Sequence, residues 1–145
     1  MAQIIVRVNG VLIEDGKILL VEQDVSARRQ WAHPGGKLEF GETLKQGIVR
    51  EFKEETGLDV AVGDLLYVTE RISEDSHVVI VSFQVSKIGG MFGTGTGDEF
   101  ATGKIKSIKM VPLDELHTLG FSADYCNLVK SGFPKKGSYR GNILD

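Results

Sequence analysis

Glutamate supplies the most informative chemistry of this chain. Between Gly36 and Leu58, a span of 23 residues, Glu42, Glu51, Glu54 and Glu55 stand at set distances from Gly36 and Gly57, and Arg50 directly precedes the last three. Carboxylates crowded this closely repel one another, and those that lose hydration need a cation or a shared proton in compensation. At about 100° per residue of helix, Leu44, Ile48 and Phe52 define one apolar stripe, and Glu51, Glu54 and Glu55 occupy a sector of roughly 100° that overlaps it. Glu55 falls where packing calls for an apolar side chain. The ordinary Glu-rich helix is a solvated face with i,i+4 ion pairs, and this placement does not suit one. An all-oxygen set of two or three glutamates, extended by a backbone carbonyl from the Gly36 turn, suits Mg2+ or Mn2+. The three histidines, His33, His77 and His117, lack zinc spacing, and Cys126 is the sole cysteine. Because Mg2+ commonly shares its shell with waters and substrate phosphates, the chemistry indicated is metal-assisted displacement at phosphorus.

A helix must carry these glutamates, and strands must hold that helix in place. Thr43 with Gln46 three residues on forms a capping-box pattern, so the spacing predicts a helix over 43–56, with Gly57 just past its end. Upstream, Gln3 to Ile13 is β-rich, Glu14-Asp15-Gly16 signals a turn and Lys17 to Val21 is apolar, which reads as an opening hairpin. Residues 24–36, ending in Pro34-Gly35-Gly36, read as a polar loop. Downstream, Leu58–Val68, Val78–Val85 and Ile105–Val111 read as strands, 89–103 as a glycine-rich loop, Pro112–Leu116 as the start of a short helix and Ser122–Lys130 as a second helix.

Composition bounds the alternatives. At 145 residues, with 41% hydrophobic and 26% charged residues, the chain has the size and balance of one folded domain, 1–145, without long disorder. A formal charge of −3 gives no general attraction to nucleic acid, and no extended basic stripe is present, which disfavours an RNA substrate. One cysteine needs no oxidising compartment. The amino terminus has no basic stretch followed by an apolar core, and no apolar run approaches about 20 residues. A cytoplasmic protein without membrane contact is therefore expected; a homodimer is left open.

The stretch Gly36 to Leu58 matches Gly-x5-Glu-x7-Arg-Glu-U-x-Glu-Glu-x-Gly-U, with U a bulky apolar residue, and on it the chain resembles the Nudix hydrolases. Phe52, at the first U, is bulkier than the Ile, Leu or Val usual there. Trp31-Ala-His-Pro34-Gly35-Gly36 and Val111-Pro-Leu-Asp-Glu-Leu116 are similar to flanking segments of that family. The resemblance implies an α/β/α sandwich around a mixed sheet and Mg2+-dependent hydrolysis of a nucleoside diphosphate linked to another moiety. It further implies Glu51 and Glu55 as metal ligands, the Gly36 carbonyl completing the protein shell, and Glu54 as a third ligand or the catalytic base. Arg50 joins Glu54 as a candidate catalytic residue, holding the glutamates by ion pairs or touching substrate directly. Where many relatives carry an acidic residue before the strand leading to the late helix, this chain has Lys104; Asp98 and Glu99 lie a few residues earlier.

Substrate identity is less constrained. Relatives acting on ADP-ribose or on diadenosine polyphosphates carry a Pro or a Tyr beyond the motif, where this chain has Ser73-Glu-Asp-Ser76. The short members acting on nucleoside di- and triphosphates or related pyrophosphates remain, with ADP-ribose or dinucleoside polyphosphate hydrolysis as the alternative. A non-catalytic nucleotide sensor is the competing reading from another class; the complete acidic set favours the enzyme. Candidate substrate contacts are Arg7 and Asn9 on the first strand, Arg28 and Arg29 in the following loop, and His77, with arginine suited to phosphate by its two-pronged donation. Phe83 and Phe92 are candidates for stacking a base.

Overall fold

The structure, a computed structural model, describes residues 3–23, 30–97 and 105–144. Helix α1, Leu44–Thr56, starts where the capping box closes: Thr43 Oγ1 accepts from Gln46 N at 3.1 Å, and Thr43 N donates to Gln46 Oε1 at 2.8 Å. It stops at Gly57, whose left-handed φ of 81° no residue with a Cβ adopts without strain. Ile48 and Phe52 are fully buried, as the wheel requires.

The strands are β1 (Ile4–Val11), β2 (Ile13–Glu14), β3 (Lys17–Gln23), β4 (Trp31–Ala32), β5 (Gly35–Lys37), β6 (Leu58–Ile72), β7 (His77–Gly90), β8 (Ile105–Pro112) and β9 (Ser138–Tyr139). They form two sheets. The larger has the order β5-β1-β7-β6-β9 and is mixed, because β1 runs parallel to β7 and β6 parallel to β9 while the other pairs are antiparallel. The smaller has the order β2-β3-β4, with β8 on β3.

Two expectations are corrected here. The opening hairpin shrinks to Ile13–Glu14 against Lys17–Ile18, turned by Asp15 and Gly16 at φ 51° and 73°; β1 itself leaves for the other sheet to pair with β5 and β7. Such parallel pairing joins residues about seventy apart in sequence, and no local signal encodes it. Likewise Gly35 and Gly36 are strand residues, opposite Asn9 and Val8, rather than the end of a loop.

One core lies between α1 and the larger sheet, where Val8, Leu19, Val81, Phe83 and Val85 meet Ile48 and Phe52. The other lies on the opposite side, where helix α2 (Ala123–Lys130) brings Tyr125, Leu128 and Val129 against Val11, Ile18, Leu20, Leu66 and Tyr67. Strand β3 thus feeds both cores with alternating residues, as its period of two dictates. The layered α/β/α arrangement around a mixed sheet is the one the sequence implied. Phe83, a candidate for stacking a base, belongs instead to the α1 core. Among the described residues, no helix is long and apolar enough to cross a membrane.

Phe52 reaches its place because Gly10 in β1 leaves room: a Cβ there would lie 2.5 Å from Phe52 Cε2. Gly10→Ala is expected to destabilise the protein by about 1–3 kcal/mol through overpacking. Urea titration of Gly10→Ala alone and combined with Phe52→Leu checks this, since the shorter side chain should recover part of the loss.

Candidate active site

Helix α1 turns its glutamates toward the amino-terminal end of β5. Glu51 and Glu55, one helical turn apart, are 5% and 2% exposed, and Glu55 Oε1 accepts the Gly35 amide at 2.7 Å. Gly36 lies directly against the Glu51 carboxylate; a Cβ at that position would stand 2.5 Å from Oε1. Any side chain at Gly36 would therefore displace the acid.

Arg50 holds the remaining charge. Its Nε donates to Glu42 Oε2 at 3.0 Å and its Nη2 to Glu42 Oε1 at 2.7 Å, a bidentate fork, while Nη1 donates to Glu51 Oε1 at 2.8 Å and Glu54 Oε2 at 3.3 Å. Nη2 also reaches the Lys37 carbonyl at 3.1 Å, and Glu39 lies 3.6 Å from Nη1. The hydrogen bond to Glu42, above all, pushes the guanidinium above its ordinary range, and the same bond holds the Glu42 carboxyl below the usual carboxylate range. The Arg50 guanidinium thus joins Glu42, Glu51 and Glu54 in one hydrogen-bonded cluster.

The end of α1 is fixed by the glycine-rich segment that follows β7. Met91 N donates to Gly57 O, Gly93 N to Thr56 O and Gly97 N to Glu54 O, at 3.2, 2.9 and 3.0 Å, which satisfies carbonyls that a helix terminus leaves open. Gly95 must be glycine to approach, because a Cβ would lie 2.5 Å from the Glu54 carbonyl oxygen. Glu54, with its side chain 38% exposed, is the accessible carboxylate of the set.

Beside β5 opens a cleft of about 350 Å³, lined by Arg7, Asn9, His33, Gly36, Thr69 and Arg71 among others. Gly36 therefore touches both the cleft and Glu51. His33, absent from the sequence-level substrate contacts, is buried and shares a 2.5 Å hydrogen bond between Nε2 and Tyr125 Oη, and Tyr125 in turn bonds Tyr67 Oη at 2.9 Å.

Of the expected substrate residues, Arg7 and Asn9 line this cleft. His77 does not. Its register with Ile4 and Ile72 sets it on the α1 side of the larger sheet, opposite to Arg7, and its Nε2 is bonded to Glu70 Oε2 at 2.8 Å. Arg28, Arg29, Asp98, Glu99 and Lys104 lie outside the described residues. Phe92 is 43% exposed, in the segment over the end of α1.

Among the described residues, no three His, Cys, Asp or Glu side chains already converge closely enough to hold a metal ion; Glu42, Glu51 and Glu54 converge on Arg50. The donor set still fits a hard divalent cation, being all oxygen, buried at Glu51 and Glu55, and free of soft ligands. The side-chain-free approach of Gly36 leaves its backbone next to one of those acids.

An α/β sandwich that sets a glutamate-bearing helix beside a polar, arginine-flanked cleft is the class these features define. The chain belongs to the Nudix family, whose NUDIX domain matches residues 4–128. It is 40% identical over 93 residues to an ADP-ribose pyrophosphatase of Methanocaldococcus jannaschii, covering 62% of this chain and 55% of that protein. Over 75 residues it is 36% identical to a CTP pyrophosphohydrolase of Escherichia coli, covering 50% of this chain and 54% of the other. The chain thus spans about half the length of these curated relatives. Among solved structures, a NUDIX hydrolase from Nitrosomonas europaea superposes with a TM-score of 0.74 at 21% identity, covering 90% of this chain and 91% of that one. A UDP-X diphosphatase superposes with a TM-score of 0.72 at 22% identity, covering 97% and 68%. At such identities the likeness shows the fold.

Because the folded Glu42 carboxyl titrates below its ordinary 4.5, its contribution is complete above that pH and is lost as pH falls through the depressed value. Glu42→Gln should cost about 1–2 kcal/mol at neutral pH. Its stability should then fall less steeply than the parent's between about pH 5 and pH 3, measured by denaturant titration at each pH.

Proposed function

We propose that this protein hydrolyses a phosphoanhydride bond in a nucleoside diphosphate derivative or nucleoside triphosphate, with Mg2+ as its metal and Mn2+ as a substitute. The observation that carries this reading is the place of Gly36, against the buried Glu51 carboxylate on one side and the substrate-sized cleft on the other.

Glu51 and Glu55, with the Gly36 carbonyl, would hold the metal, which when bound offsets phosphate charge and makes water a better nucleophile near neutral pH. Glu54, partly exposed beside them, takes the proton from the attacking water. The water oxygen forms a bond to phosphorus, the bridging P–O bond breaks, and the leaving phosphate carries away its electron pair. Arg50 keeps Glu51 and Glu54 oriented while its bond to Glu42 anchors the guanidinium. Arg7, on the cleft wall, steadies a phosphate of the substrate. The relatives named for ADP-ribose and for CTP support nucleotides with a phosphoanhydride bond as the substrate class.

Glu51→Gln and Glu55→Gln are each expected to abolish turnover in a nucleotide panel with Mg2+, scored as orthophosphate or pyrophosphate released, while circular dichroism shows the parent fold. Hydrolysis by both variants at the parent rate would overturn the assignment. Glu54→Gln should lower kcat by roughly 10²- to 10⁴-fold, the range of a general base. Arg50→Lys should lose roughly 10- to 100-fold in activity or metal affinity, because a lysine cannot reproduce the fork.

A further inference from the structure

Part of the cleft is built by chain that the family match does not reach. The NUDIX match ends at residue 128, whereas Asn142 and Leu144 line the cleft together with Thr69, Glu70 and Arg71 of β6. The tail arrives there as a strap along the outer edge of β6. Strand β9 sets Ser138 beside Tyr67 and Tyr139 beside Val68, after which Arg140 N donates to Val68 O at 2.8 Å and Glu70 N to Gly141 O at 2.9 Å. A strand of two residues is too short to hold a segment by its pairing alone.

Side chains supply the rest. Tyr139 is in register with Val68, which packs against the α1 core, so its ring lies on the face of the sheet away from the cleft. There its hydroxyl donates to Glu70 Oε1 at 2.7 Å, and Glu70 Oε2 is 2.8 Å from His77 Nε2. The Tyr139 ring is 65% exposed, so apolar burial contributes little to keeping it in place and the hydroxyl is its tie to the sheet. Arg140 Nη2 donates to Pro134 O at 2.7 Å, a bond within the tail itself. Past the strap, Ser122 Oγ donates to Ile143 O at 2.5 Å. Gly137 and Gly141, at φ 80° and 55°, bracket the Tyr139 segment and give it two backbone pivots.

We propose that Tyr139 is a positioning residue: through Glu70 it holds residues 141–144 against the cleft, so that substrate affinity depends on a latch on the opposite face of the sheet. His77, which does not reach the cleft, acts in the same latch by orienting the Glu70 carboxylate. The latch moves a wall of the cleft and leaves the glutamates of α1 where they are. It rests on the reading that the cleft receives the nucleotide, and not on hydrolysis.

Analogues of ADP-ribose and of CTP with a methylene group in place of the α,β-bridging oxygen resist cleavage at that bridge and probe binding in Mg2+ by titration calorimetry. Tyr139→Phe, which deletes one hydroxyl, is expected to weaken whichever analogue the parent binds tighter by roughly three- to tenfold, the value of a hydrogen bond. KM for the matching nucleotide should rise by a similar factor while kcat stays within about twofold, as befits a change in binding and not in chemistry. Trypsin should cut after Arg140 faster in Tyr139→Phe than in the parent, and the bound analogue should slow that cut in the parent. Lys136→Ala, which breaks an ion pair with Asp64 on the far side of the Gly137 pivot, should keep the parent's affinity. Equal affinity of Tyr139→Phe and the parent, even with faster cleavage, or a fall in kcat at unchanged KM, would overturn the latch. A parent that binds neither analogue overturns the cleft reading and the latch together, whereas one that binds but hydrolyses nothing overturns the hydrolase reading alone.

Discussion

Two carboxylates are buried on the packing face of one helix, and most of the surrounding structure follows from keeping them there. Glu51 and Glu55 lie beside Ile48 and Phe52, where an apolar residue would pack at no electrostatic cost. An ionised group withdrawn from water needs donors or a cation. The Gly35 amide serves Glu55 and the Arg50 guanidinium serves Glu51, each at hydrogen-bond distance. Both donors are themselves held, Gly35 by its pairing with Asn9 in β1 and Arg50 by the two-pronged bond to Glu42.

That dependence explains why glycines cluster where the helix meets its neighbours. Gly36 admits the Glu51 carboxylate, Gly10 admits Phe52, and Gly95 lets the segment after β7 reach the last carbonyls of α1. Each contact fixes the height or rotation of α1 against the larger sheet, and thereby the direction of the glutamates. On the far side, α2 delivers Tyr125 to His33, which ties the wall of the cleft to the second core. Helix, sheet and cleft are therefore coupled through close contacts rather than through the covalent chain alone.

How much of this was legible without coordinates depended on sequence separation. The helix, its capping box, its terminal glycine and the inward aim of Glu51 and Glu55 all follow from spacings of three or four residues, and the structure has each of them. Local turn chemistry at Asp15-Gly16 was equally readable. Pairings across long loops were not: nothing near Ile4 indicates that it lies beside His77, and a shift of one residue in that register would move His77 to the face of Arg7. For the same reason Thr69, one residue past the expected strand Leu58–Val68, carries no signal in the sequence, and only the rung it shares with Ile80 and Arg7 places it in the cleft wall. The glycine-rich segment read as a loop, which is true of Met91 to Gly97, but its work as a cap on α1 depends on contacts no spacing encodes.

The account stands on Glu51 and Glu55 as a divalent-cation site, and direct binding of Mn2+ followed by its paramagnetic resonance signal tests that without any reaction. The parent should take up Mn2+, Mg2+ should displace it, and Glu51→Gln and Glu55→Gln should each bind it far more weakly while remaining folded. Uptake of Mn2+ by the two variants as tight as by the parent would contradict the account.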